Sequence, residues 1–169
     1  MFSARALEAL SDHVQLEVIA SNTYLFFAHA CYYRNLDAYG NLFVKWAKEE
    51  FEHAREMLKY LGDVGQCTPP DTSFSIKNLS ELSLVDMLKA SLELERHVGR
   101  SIYRVYKLAL SEGDAGLVEF MAPFARHVPE ELNEKETHMK RVQELGERLA
   151  NDLLVEFLEG LEEVEDEED

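Results

Sequence analysis

The chain has 169 residues, 33 of them acidic and 17 basic, for a formal charge of −16, and 46% of it is hydrophobic. That is one domain's worth of chain, too rich in apolar residues for a disordered acidic polymer and long enough to bury a sizeable core. The acid surplus argues against nucleic acid and anionic membranes as partners, because both are polyanions, and it favours cations, metal ions above all.

Glycine and proline are scarce and clustered, which leaves long stretches of helical periodicity. The opening residues MFSARALEAL lack the apolar segment and cleavage site of a signal peptide. A first helix is predicted over about residues 4–34. A second follows Asp37, read as its N-cap, and ends near Leu61 ahead of Gly62 and Gly65. The third begins after Ser80, with Ser83 also able to cap, and continues to about Ser111. Gly113 interrupts the pattern before a fourth helix over about residues 115–145. Pro123 and Pro129 fall inside that helix, where each removes a backbone hydrogen bond, so a break or kink is expected there. A short fifth helix over about residues 151–161 lines up Leu154, Phe157, Leu158 and Leu161, and it closes the domain at 161. Seven of the acids crowd into residues 162–169, which read as a disordered tail. Nothing reads as a strand, and no apolar run approaches the roughly 20 residues of a membrane span. Cys31 and Cys67 form no CxxC pair, which favours a reduced, cytoplasmic protein.

The short links between helices one and two and between three and four imply antiparallel hairpins. The link over residues 62–82 contains Pro69-Pro70 and can travel the length of a bundle at about 3.3 Å per residue. The fold class is therefore all-α: a four-helix bundle with one long crossover connection and a short fifth C-terminal helix.

Each long helix, followed along a 3,4-spaced seam, carries a glutamate among apolar residues: Glu17, Glu50, Glu95 and Glu131. Burying one ionised carboxylate costs several kcal/mol, and four together also repel one another. Lys135, a second misfit on the fourth seam, cannot balance four acids. Two divalent cations can. Glu50 and His53 form Glu-x-x-His, whose i,i+3 spacing puts both side chains on one side of a helix. Carboxylates with one imidazole suit iron or manganese better than a thiolate-seeking metal.

With Tyr24 seven residues after Glu17, the block Glu49-Glu50-Phe51-Glu52-His53, Glu95 and Glu131, the chain resembles the non-haem ferritins of bacteria and archaea over nearly its whole length. The resemblance implies a ferritin-like domain over residues 1–161 and an iron-storage protein with ferroxidase activity. Ferrous iron would be oxidised by oxygen or peroxide at a di-iron centre, and the ferric product would be stored as mineral in a hollow homo-oligomer of 24 subunits. One iron would be held by Glu17, Glu50 and His53, the other by Glu50 as bridge, Glu95 and Glu131. Tyr24 would stand beside the centre, although as a core aromatic it needs no such role. A third iron site would be matched by Glu49 and Glu130, which read equally well as solvated acids.

Helix four departs from the family pattern. A usual glutamine ahead of Glu131 is replaced by Val128, and His127 stands where the third site has an acid. With Pro129 able to re-aim Glu131, Glu134 is a reserve ligand on the same face. The neighbours Phe51 and Glu52 lack the methionine of haem-binding relatives, so no haem is expected. His13, His29 and His97 read as surface or packing residues, and His138 as core. Two other functions stay open: a metal-buffering cage with weak catalysis, and a di-metal oxidase or oxygenase acting on an organic substrate as a smaller oligomer.

Overall fold

A computed structural model describes residues 3–71 and 73–156. Helix α1 spans Ala4–Tyr33, α2 Asp37–Asp63, α3 Leu84–Ser111 and α4 Ala115–Leu145. A fifth helix, α5, starts at residue 147 and is described as far as 156. One short 3-10 turn, Leu79–Glu81, precedes α3, and there is no strand among the described residues. The expected stripe residues Phe157, Leu158 and Leu161, the domain end at 161 and the acidic tail lie outside the described residues.

The helix starts follow from capping chemistry. The Ser3 hydroxyl accepts from the Ala6 amide. Ser83 and Asp86 form a reciprocal capping box at α3, and Asp114 accepts from the Leu117 amide at α4. Helix α2 departs from expectation. Leu36 is its N-cap with no side-chain bond, and Asp37 is the first helical residue, where a negative charge still favours the positive helix end. Helix α4 departs too, because it continues through both Pro123 and Pro129 instead of breaking. Both rings lie on the exposed face, where water can take over the carbonyls that the missing N–H groups leave free.

Each long helix runs antiparallel to both of its neighbours. Ser3 at the start of α1 donates to Asp114 beyond the end of α3, and Tyr24 later in α1 meets Glu95 nearer the start of α3. Helix α2 faces α4 through Trp46 and Glu134, His53 and Phe124, and the stacked rings of Tyr60 and Phe120. The connection between α2 and α3 runs along α1 from Ser11 to Arg34. Thr68 bonds Ser11, the Pro69 carbonyl and Asp71 amide meet Gln15, Phe74 packs on Phe26, and the Leu82 carbonyl accepts from Arg34. This is the expected crossover.

Two apolar clusters fill the bundle. One contains Tyr24, Phe27, Phe43, Trp46, Leu84, Leu88 and Val142, closed at its end by Ala150 and Leu154 of α5. The other contains Leu10, Val14, Met57, Leu61, Ile102, Met121 and Phe124. Helix α5 is tied to the bundle by Glu147, which accepts from Arg34 and the Leu84 amide, and by Asn151, which accepts from the Tyr39 amide. Its Leu149 and Leu153 remain exposed. Between the two clusters lies a layer of charged side chains.

Candidate metal centre

Four helices contribute to that layer. Glu17 comes from α1, Glu50 and His53 from α2, Glu95 from α3 and Glu131 from α4, so the i,i+3 pair on α2 faces one acid from every other long helix. The ligating atoms fall into two groups that share Glu50: Glu17, Glu50 and His53, and Glu50, Glu95 and Glu131. Within each group these atoms lie within 4.8 Å of one another. Glu17, Glu50 and Glu95 are buried, and His53 and Glu131 are partly so.

Nothing polar among the described residues satisfies these oxygens fully. Glu17 Oε2 and Glu50 Oε2 are buried without a hydrogen-bond partner, and each stands 3.7 Å from His53 Nδ1. An orphaned buried carboxylate oxygen is expensive unless a cation completes it. Two such oxygens beside an imidazole, with two more acids sharing Glu50, fit a pair of hard or borderline divalent ions.

The electrostatics show the same tension. Burial, followed by the neighbouring Glu17 charge, pushes the Glu50 carboxyl well up. Burial and the Glu95 charge raise Glu131 to about 7. Burial would also raise Glu17, but its close contacts with Glu50, His13 and His53 reverse the effect and hold it below the usual carboxylate range. Burial pulls the His53 imidazole down, yet the Glu17 and Glu50 carboxylates outweigh it and bring it up to about 11. Without metal the centre therefore holds protons on groups that a metal ion needs deprotonated. Raised pKa values mean that protons compete for the ligands below them, so affinity for a ferrous surrogate such as Co2+ is expected to climb as pH rises through about 7. Titrations across that range check this, and an affinity that is flat or falls with pH contradicts it.

The remaining candidate residues have definite places. Tyr24 is fully buried, and its hydroxyl donates to Glu95 Oε1 over 2.7 Å. Burial and the Glu95 charge push the phenol's pKa well up, which keeps it a donor. Glu134 belongs to neither group, and its Oε1 accepts from the Trp46 indole at 3.0 Å. Glu49 is partly exposed, 3.9 Å from Lys45. Glu130 is largely exposed and turned toward His127 at 3.4 Å. Neither acid joins a ligand group among the described residues. Val128 is buried in the apolar cluster of Leu10, Met57 and Phe124, where a Cβ on Gly99 would meet its Cγ1 at 2.7 Å, so helices α3 and α4 approach closely there.

Two residues near the centre had not been foreseen in these roles. His13, expected at the surface or in packing, is fully buried, with Nε2 2.8 Å from Glu17 Oε1 and Nδ1 2.8 Å from Ser101 Oγ. Its signal was the four-residue spacing to Glu17, one helical turn. Lys135, four residues after Glu131, is buried with Nζ 3.4 Å from Glu95 Oε1. His29 and His97 are exposed as expected, and His138 is partly buried against Tyr39 and Trp46.

The family profile of the ferritin-like domain matches residues 7–145. The chain is 28% identical over 147 residues to the bacterial non-heme ferritin of Staphylococcus aureus (strain USA300), covering 87% of this chain and 88% of that one. It is 29% identical over 147 residues to the bacterial non-heme ferritin of Staphylococcus epidermidis, with the same shares covered. The crystal structure of a PmFTN variant soaked in iron for 45 min superposes with a TM-score of 0.83 at 20% identity, over 90% of this chain and 99% of that one. A second iron-soaked PmFTN variant gives 0.82 at 19% identity, over 89% and 98%. These two likenesses concern the fold alone.

Proposed function

This chain belongs to the ferritin-like domain family, and from that membership and the geometry of its centre we propose that it oxidises ferrous iron and stores the ferric product in a hollow cytoplasmic shell. The observation that carries the reading is the pair of ligand groups sharing Glu50, with two buried carboxylate oxygens that have no hydrogen-bond partner among the described residues. Iron is the substrate and cargo here. Glu17, Glu50 and His53 would hold one ferrous ion, and Glu50, Glu95 and Glu131 the other. Two ferrous ions held side by side can give up two electrons in one encounter with oxygen or peroxide, which single ions in solution cannot.

The protein's own part is to prepare that encounter. His13 donates to Glu17 Oε1, leaving Oε2 free to face the centre. Tyr24 does the same for Glu95 by engaging one oxygen. Such bonds to the ligands hold their orientation and tune their basicity. In this reading Glu131 is the α4 ligand, since Glu134 is engaged by Trp46. Glu49 and Glu130 join no group of three ligand atoms among the described residues, so the proposal includes no third iron site.

Ferritins assemble, and a shell of 24 subunits is the state proposed for this chain. The exposed Leu149 and Leu153 of α5 leave apolar surface for a neighbouring copy. The test is aerobic addition of ferrous iron to the purified protein, followed by sedimentation and iron analysis. A shell-sized particle that retains far more iron than its paired sites hold is expected. A small oligomer with no iron beyond those sites would overturn storage and favour a di-metal oxidase.

A further inference from the structure

Among the described residues, Lys135 is the only lysine or arginine that the bundle buries. Its ammonium lies 3.4 Å from Glu95 Oε1, the oxygen that also accepts from Tyr24. It sits 4.3 Å from the centre of the Trp46 ring and 5.5 Å from that of Tyr24. A cation over two aromatic faces and against one carboxylate is held in place despite its desolvation.

This charge is unevenly shared. The group of Glu17, Glu50 and His53 has no lysine or arginine paired to it among the described residues, whereas Glu95 in the other group does. A metal ion entering the second group must take Glu95 from an ammonium that is already there, and it then stays close to that like charge.

We propose that Lys135 is a built-in cation that competes with the second metal ion for Glu95 and so sets the two subsites apart in affinity. It is a positioning residue, acting through Glu95 rather than on the reacting atoms. The inference rests on the paired-metal reading above. It makes the Glu50, Glu95 and Glu131 subsite the later and weaker one to fill, and the subsite whose ion is more easily passed on. A fixed positive charge a few ångströms from a divalent ion weakens its binding by about tenfold or more, even with strong dielectric screening.

The test is calorimetric and spectroscopic titration of the full, metal-free chain with Co2+, which needs no oxidation step. The unmodified protein is expected to bind two ions in two steps, the second at least about tenfold weaker. Lys135→Met is expected to tighten the second step by about tenfold or more and to change the first by less than about threefold. A lysine that served only as scaffolding would weaken both steps when removed, so a selective tightening separates the two roles. Lys135→Gln, which keeps a polar end, should show the same change and stands in where the methionine variant does not fold. Two equal affinities in the unmodified chain would overturn the proposal without any variant. Two unequal steps with no tightening in the neutral variants would overturn it as well, and the paired-metal reading would stand. No Co2+ bound at the centre of the unmodified chain would overturn both.

Discussion

Glu50→Ala is expected to lower the initial rate of ferrous oxidation by at least about 100-fold, because altering even the partners of metal ligands costs about 10–100-fold. Glu50 is the one side chain that both ligand groups share. Its loss therefore weakens two ions at once and removes the atom that ties them together. Glu17→Ala or Glu95→Ala opens only one group, which keeps Glu50 and His53 or Glu50 and Glu131, and leaves the other group complete. Stopped-flow absorbance on aerobic mixing measures the rates. An unchanged fast phase in Glu50→Ala would remove the paired site from the reaction.

Trp46→Ala is expected to destabilise the fold by about 3–5 kcal/mol, the usual cost of removing a fully buried aromatic side chain. Trp46 is fully buried, packs edge-on against Phe43 and Tyr24, and carries the Lys135 ammonium over its face. Its indole N–H also donates to Glu134. The alanine variant leaves a void at the boundary between the apolar cluster of Tyr24 and Phe43 and the charged layer, and it removes the platform under Lys135. Urea unfolding at fixed chain concentration measures the loss, since assembly would otherwise shift the apparent stability. A change below about 1 kcal/mol would show that the surrounding helices collapse onto the gap, contrary to this account.

The site was legible because charges stood out where the helical period called for apolar residues. Glu17, Glu50, Glu95 and Glu131 each interrupt an apolar seam, and the structure brings all four together with His53. The long crossover was legible from its length, since only a spanning link needs so many residues between two helices. Other features depend on tertiary context that periodicity does not carry. His13 lies beside the seam rather than on it, and only the packing of α1 against α3 brings Ser101 to its far nitrogen. Lys135 was visible as a misfit, but not its choice of Glu95 over the other acids. Pro123 and Pro129 were expected to interrupt α4, yet the direction a proline ring faces decides what it costs, and here both face outward. Helix α5 begins four residues earlier than the apolar stripe implies, because Gly146 at φ 81 ends α4 by itself and Glu147 then bonds the start of α3.

The proposed chemistry depends on two ferrous ions held across Glu50. Crystals of the protein soaked in ferrous iron without oxygen, with anomalous diffraction recorded at the iron edge, test it most directly. Two iron peaks per chain are expected, one against Glu17, Glu50 and His53 and the other against Glu50, Glu95 and Glu131. An absence of iron at both groups, or a single iron ligated by Glu134 in place of Glu131, would contradict it.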